Sequence, residues 1–197
     1  MTFHPGEKIA IFIDGANFYS TVKSLDFDID YKSLLTHFSA KGRLIKAFYY
    51  TALRENDDFS PLRPLLDWLD YNGFHIVTKK AKTYTDRDGR TRIKGDMDIE
   101  ITVGMLDLAP HVDHILLFSG DGDFRAAVEA VQKQGVRVSV VSSMAVKPSL
   151  LADELRRQAD HFIEIDDLER EVGRPKREPA PRDDDDYEDG DDDYGYE

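Results

Sequence analysis

Short apolar runs recur along the chain and are separated by stretches with helical spacing. The run from Lys8 to Asp14 is rich in β-branched residues and ends on an acid and a glycine, which predicts a strand buried on both faces. Comparable runs predict strands over 44–50, 74–79, 114–118, 136–141 and 161–165. Between two of them, leucines 62, 65, 66 and 69 have the spacing of a helix face.

Strands that alternate with helices indicate parallel βαβ crossovers. The predicted fold is therefore an α/β, doubly wound three-layer sandwich with a mainly parallel central sheet. Further helices are predicted to open near Asp96, to follow Asp123 as far as Gly135, and to cover 149–158. Residues 1–170 form the predicted domain. The composition then turns to Pro, Arg, Lys and acid, so 171–197 is predicted to be a disordered acidic tail.

The composition narrows the chemistry that the chain can perform. Its 197 residues suit one α/β domain, and it contains no cysteine, which excludes disulfides, thiolate metal sites and cysteine nucleophiles. No signal-peptide pattern precedes the short apolar run 9–13. We therefore expect a cytoplasmic protein that has no membrane partner.

The negative charge is concentrated at one end of the chain. The formal net charge is −13, but residues 183–197 hold 10 acids and no Lys or Arg, which leaves 29 acids against 26 bases in the rest. The simplest interpretation of this segment is a solubilising tail. A sharper hypothesis is that it mimics a phosphate backbone and occupies a basic groove, in which case deleting 183–197 should raise nucleic-acid affinity at low salt.

Carboxylates follow two of the predicted strands directly. Asp14 ends the first strand, and Asp121 and Asp123 flank a glycine just after the strand 114–118. Ligands of open α/β sheets bind at the carboxyl ends of the strands, so these acids predict a site. The alternative is that Asp14 and Asp123 are only helix N-caps, a role that Asp fills often.

A further carboxylate lies on a predicted helix. Asp98 shares the apolar stripe of Ile101 and Met105, whereas Glu100 points away from it. Burying a carboxylate without a partner is costly, so a base or a metal should neutralise it. Several acids at one site favour a hard cation with oxygen ligands, Mg²⁺ or Mn²⁺.

Three segments carry a resemblance to a known family. Residues 11–18 (Ile-Phe-Ile-Asp-Gly-Ala-Asn-Phe), 94–100 (Lys-Gly-Asp-Met-Asp-Ile-Glu) and 117–124 (Leu-Phe-Ser-Gly-Asp-Gly-Asp-Phe) resemble the NYN domain, in its LabA-like branch, within the PIN-like nuclease superfamily. The resemblance covers roughly 8–165. It implies an acidic cluster supported by Asn17. Many relatives carry an acid where this chain has Gly104. The implied cluster consists of Asp14, Asp98, Asp121 and Asp123.

The expected reaction is hydrolysis of RNA phosphodiester bonds with Mg²⁺ or Mn²⁺. Asp14 and Asp121 are expected to be the principal metal ligands, and Asp98 and Asp123 to be further ligands or water-positioning groups, although these roles are interchangeable. Asn17, one helical turn after Asp14, is expected to orient a carboxylate or contact a phosphate.

A basic segment leads into the Asp98 helix. Residues 79–94 contain seven bases and two acids, which suits contact with a phosphate backbone, single-stranded RNA being favoured. The alternative is a solvated hairpin, because Asp88-Gly89 is a turn signal. The predicted RNA-binding residues are Lys79, Lys80, Lys82, Arg92 and Lys94.

Two other functions remain open from the sequence. The acidic cluster could belong to an RNA-binding or regulatory module with little or no turnover. An aspartate after the first strand could also accept a phosphoryl group, although Ala16 stands where a second acid would be needed. The six histidines show no zinc-site spacing, and Arg125 interrupts any dinucleotide fingerprint.

Overall fold

The computed structural model of the protein describes residues 3–54, 61–85 and 91–174, without the side chains of residues 54, 82–85 and 91–94. The tip of the basic segment and the acidic tail therefore lie outside the described residues. Within those ranges the chain forms a seven-stranded sheet. Its strands are β1 (Lys8–Asp14), β2 (Arg43–Arg54), β3 (His75–Thr85), β4 (Thr91–Lys94), β5 (His114–Phe118), β6 (Arg137–Ser142) and β7 (His161–Glu164).

The strand order is β4-β3-β2-β1-β5-β6-β7. All neighbours are parallel except β3 and β4, which pair antiparallel. The chain builds β1, β2 and β3 outward in one direction and then returns to place β5 on the other side of β1. The winding direction thus reverses between β1 and β5, at whose carboxyl ends open α/β sheets bind ligands.

Helices cover both faces of the sheet, which confirms the predicted doubly wound α/β sandwich. The two layers are visible in the core, where Ile9, Ile11 and Ile13 of β1 pack on one side and Ala10 and Phe12 on the other. This alternation explains why β1 is apolar throughout. The helices are α1 (Gly15–Ser24), α2 (Tyr31–Ser39), α3 (Arg63–Tyr71), α4 (Asp98–Leu108), α5 (Arg125–Gln132), α6 (Asp153–Gln158) and α7 (Glu169–Val172).

The predicted bounds of β1 and β5 are those observed, whereas β2 and β3 extend beyond their apolar runs. Two helices begin later than predicted. Helix α4 begins at Asp98 rather than near Asp96. Helix α6 begins at Asp153 rather than 149, because the backbone N–H of Ala152 bonds to the carbonyl of Gly120 instead of to a helical partner.

The packed part of the chain continues past residue 170. Val172 in α7 is fully buried, and Gly173 forms an isolated bridge with Ile29. The folded region therefore extends beyond the predicted domain boundary. Among the described residues, no helix is long and apolar enough to cross a membrane.

Candidate functional site

Asp14 lies at the carboxyl end of β1 and is buried, with 7% of its surface exposed. It is the N-cap of α1, since Oδ1 accepts a hydrogen bond from the backbone N–H of Asn17 at 3.3 Å. Its other oxygen, Oδ2, accepts a 3.0 Å bond from the hydroxyl of Ser119. The capping role predicted as the alternative is therefore real, but it uses only one of the two carboxylate oxygens.

Ser119 joins the carboxyl ends of β1 and β5. Besides donating to Asp14, its Oγ accepts the backbone N–H of Asp121 at 3.2 Å. The serine is 1% exposed, so both contacts are shielded from water. Ser119 therefore fixes Asp14 relative to the loop that carries Asp121 and Asp123.

Asn17 forms a second link between the same two elements. Its side-chain Oδ1 accepts the backbone N–H of Gly120 at 2.9 Å, and this contact ties α1 to the loop after β5. The carboxamide oxygen thus supports the backbone of the loop. The expected contact of Asn17 with a phosphate is not tested by this geometry.

The cap after β5 is Asp121 rather than Asp123. Asp121 accepts the backbone N–H of Asp123 at 3.0 Å and caps a short 3-10 turn, Gly122–Phe124, that leads into α5. The alternative interpretation of Asp123 as an N-cap is therefore wrong, since its carboxylate caps nothing there and is exposed. Phe124 is buried, as the predicted inward face of this helix requires.

Asp98 is the first residue of α4, on the side of the sheet that holds Phe12. Its stripe partners Ile101 and Met105 are fully buried, and Asp98 itself is partly buried. The predicted stripe therefore holds. Asp98 lies within range of the charges of the other three aspartates, which all act on it.

We refer to Asp14, Asp98, Asp121 and Asp123 as the acidic cluster, because the charges of the other three act on Asp98. Burial, followed by the charges of Asp121, Asp14, Asp96 and Asp123, raises the pKa of Asp98 to about 6. Burial also raises the pKa of Asp14, and the Asp121 charge adds to this effect, although the bonds from Asn17 and Ser119 oppose it. Such mutual repulsion is relieved by a proton or by a cation.

The donor chemistry of the cluster suits a hard divalent cation, because every ligand would be oxygen. However, among the residues that the structure describes, no three His, Cys, Asp or Glu side chains are grouped closely enough to hold a metal ion. The cluster thus brings the carboxylates into electrostatic range without forming a closed coordination shell.

The basic segment forms the β3–β4 hairpin, in which Lys82 pairs with Lys94 and Tyr84 with Arg92 along the backbone. The antiparallel pairing agrees with the hairpin of the alternative interpretation, whose Asp88-Gly89 turn lies outside the described residues. Lys80 is exposed, and the side chains of Lys82, Arg92 and Lys94 lie outside the described part of the chain. Lys79, predicted to contact RNA, instead donates to Glu100 at 2.9 and 3.1 Å. Burial would raise the pKa of Glu100, but this bond outweighs it and holds the pKa below its usual value.

Sequence reasoning assigned no role to Ser119 or to the Lys79–Glu100 pair. Ser119 lies in the motif 117–124, directly after a predicted strand. Its position at the carboxyl end of that strand is the sequence feature that could have indicated a role in the site. The Lys79–Glu100 contact spans 21 positions between different elements. No local pattern marks such a pair.

The profile of the NYN domain matches residues 8–166. The chain belongs to the NYN domain family. This confirms the resemblance carried by the three motifs. NYN domains lie within the PIN-like nuclease superfamily, whose members are generally nucleases, and they bind RNA.

The chain is a LabA-like NYN domain, as its similarity to one curated protein shows, and it is also similar to one solved structure. The chain is 31% identical over 185 residues to the low amplitude and bright protein LabA of Synechococcus elongatus, a match that covers 92% of this chain and 95% of that protein. A crystal structure of a protein of unknown function from Vibrio parahaemolyticus is 30% identical, with a TM-score of 0.68. It covers 88% of this chain and 100% of that one.

Proposed function

We propose that this NYN domain is a metal-dependent ribonuclease that hydrolyses phosphodiester bonds. The observation that supports this most is that Asp14 and Asp121 lie at or just after the ends of β1 and β5, where the winding of the sheet reverses, while Asp98 begins α4 within range of both charges. Burial, and then the charges of Asp121 and Asp14, raise the pKa of Asp98. Acids that only cap helices would not be expected to lie close together, because repulsion between like charges at short range destabilises the folded state.

The residues divide into ligands and supports. Asp14, Asp98, Asp121 and Asp123 would hold Mg²⁺ or Mn²⁺, which supplies Lewis acidity and lowers the pKa of a bound water. Ser119 and Asn17 hold the two strand ends together, so that the carboxylates keep their positions when the substrate binds. Lys80 and the hairpin bases Lys82, Arg92 and Lys94 would attract the phosphate backbone of single-stranded RNA.

Cleavage of a labelled single-stranded RNA in Mn²⁺, Mg²⁺ or EDTA tests the proposal. Asp14→Asn and Asp98→Asn remove a charge from the site, and Asp67→Asn is a matched control on the exposed side of α3. We expect cation-dependent cutting by the wild type and Asp67→Asn, and at least a ~100-fold loss in the two site variants. Cutting that persists in EDTA or in both site variants would overturn the assignment.

A second candidate is an RNA-binding module without turnover. It is favoured by the absence, among the described residues, of three closely grouped metal-binding side chains. If the wild type binds the same RNA but does not cut it with either cation, the protein is an RNA-binding module rather than a ribonuclease. A chromogenic phosphomonoester assayed in parallel distinguishes the phosphatase alternative.

A further inference from the structure

Lys79 of β3 is bound by two acids that lie on either side of Asp98 in the sequence. Its Nζ is 2.9 Å from Glu100 Oε2 and 3.8 Å from Asp96 Oδ1. The lysine side chain is 30% exposed and that of Glu100 is 34% exposed, so the pair is partly shielded from solvent. Lys79 is therefore already engaged within the protein, although the sequence predicted an RNA contact.

Among the described residues, the first turn of α4 has no side-chain capping bond from its N-cap residue. The helix begins at Asp98, and this N-cap residue is Met97. On the inner side, Met97 and Ile101 are buried. Lys79 thus supplies the contact that holds this turn from the side opposite the core.

The approach to α4 is also closely packed against the sheet. A Cβ added to Gly95 would lie 2.7 Å from the Cβ of Ala52 and 3.0 Å from that of Ala81. The chain can pass so near β2 and β3 only because residue 95 is glycine. This packing restrains the chain directly before the turn that Lys79 contacts through Glu100 and Asp96.

We propose that Lys79 is a positioning residue that holds Asp98 in the acidic site through Glu100 and Asp96, and that it is not an RNA-binding residue. The inference rests on the proposed nuclease function for its kinetic consequences only. Its structural content, the ordering of the α4 first turn by Lys79, stands apart from catalysis.

Two variants separate positioning from RNA contact. Lys79→Met removes the cation, and Glu100→Gln keeps Lys79 but removes the charge of its nearer acid and leaves only Asp96 at 3.8 Å. If Lys79 positions Asp98, both variants should lower kcat and Mn²⁺ affinity by roughly 10- to 100-fold, the usual range for residues that orient metal ligands. The KM for RNA should remain unchanged in both. If Lys79 binds RNA, Glu100→Gln should instead tighten RNA binding while Lys79→Met weakens it.

Lys133→Met is the matched control, because Lys133 forms a 2.7 Å pair with Glu129 on α5. It should leave kcat, Mn²⁺ affinity and RNA affinity as in the wild type. Lys79→Arg retains a cation that can reach both acids, so it should restore most of the activity lost in Lys79→Met. Failure of this rescue, together with a changed KM, would overturn the proposal.

Amide hydrogen exchange provides a readout that is independent of cleavage. The N–H of Ile101, which bonds to the carbonyl of Met97, should exchange at least ~10-fold faster in Lys79→Met and Glu100→Gln than in Lys133→Met, since opening of the first turn exposes it. A wild type that neither cuts RNA nor binds Mn²⁺ contradicts the proposed function, whereas unchanged exchange at Ile101 contradicts the positioning role.

Discussion

The hydroxyl of Ser119 donates a 3.0 Å hydrogen bond to Asp14 Oδ2 and thereby joins residues that are 105 positions apart in the chain. The bond connects the ends of the two strands between which the winding of the sheet reverses. Ser119 Oγ also accepts the backbone N–H of Asp121. One buried hydroxyl therefore sets the relative positions of two proposed metal ligands, Asp14 and Asp121. This arrangement makes Ser119 the most informative residue for a first variant.

Ser119→Ala should lower both stability and activity. Loss of the hydroxyl leaves a buried Asp14 oxygen without its donor, which costs about 1 to 3 kcal/mol in the free energy of unfolding. Urea unfolding and single-turnover cleavage measure the two effects. Ser20→Ala is a control, because Ser20 makes a comparable hydroxyl contact on the exposed side of α1. Equal losses in the two variants would contradict the special position of Ser119.

Asp98→Asn should stabilise the apo protein while it abolishes cleavage. Burial, followed by the charges of the surrounding aspartates, raises the pKa of Asp98 to about 6, so the ionised form opposes folding at neutral pH. Since the carboxylate is partly exposed, solvent screens the repulsion, and we expect a gain of about 1 kcal/mol rather than the full value of the shift.

The pH dependence of that gain has a defined sign. Between the unfolded value near 3.8 and the folded value of about 6, the native state binds more protons than the unfolded state, so wild-type stability falls as pH rises. The advantage of Asp98→Asn should therefore be absent below pH 4, grow to pH 6 and then level off. Urea unfolding in EDTA at four pH values measures it, and a gain that is constant across the range would contradict the repulsion.

Much of the fold could be predicted because its signals are local. The central residues of β1 and β5, 9–13 and 115–118, are apolar without interruption and are bounded by polar or turn residues, so the limits of both strands were evident. A polar residue interrupts β2 at Thr51, and β3 is mostly polar from Lys79 onward, so an apolar run understates the length of both strands. Strand ends also indicated where acids would gather, because parallel strands share a direction.

The rest of the site depends on contacts between residues distant in the chain. The sequence does not show that Ser119 contacts Asp14, because the two residues are 105 positions apart. Nor does it distinguish Lys79 from the other six bases of the basic segment, because its partner Glu100 lies on a different element. The same holds for Gly104, where many relatives carry an acid. A Cβ built there would collide with the hydroxyl of Tyr50 and lie 3.3 Å from Phe12, so the buried tyrosine occupies that space.

Gly104→Asp should accordingly destabilise the fold, although replacing a helical glycine alone usually gains up to about 1 kcal/mol. The new side chain must displace the Tyr50 hydroxyl, and overpacking of this kind costs about 1 to 3 kcal/mol. The double variant Gly104→Asp with Tyr50→Phe removes the colliding atom and should recover part of the loss. Thermal or urea unfolding of both variants and of Tyr50→Phe alone measures the coupling. Additive effects would show that the two residues do not compete for space.

His114 should make the protein less stable in acid. The ring is fully buried at the amino end of β5, where Nδ1 lies 3.2 Å from Arg137 and Nε2 lies 2.8 Å from the hydroxyl of Ser139. Arginine can only donate, so Nδ1 accepts and the neutral ring carries its proton on Nε2. Burial and then the Arg137 charge lower the pKa of His114 to about 4, against opposition from Glu7.

Because the unfolded chain takes up this proton near pH 6.5 and the native chain only near pH 4, stability is complete above pH 6.5 and is lost as pH falls toward 4. The loss between pH 7.5 and pH 5 is about 2 kcal/mol. Asp160 raises the pKa of His114 and His161 lowers it. Asp98 makes stability fall as pH rises, which opposes the effect of His114. Stability should therefore be measured in the Asp98→Asn background. There, His114→Gln keeps a donor and an acceptor without titrating and should flatten the stability profile between pH 5 and 7. A profile equally steep with and without His114 would assign the acid sensitivity to another group.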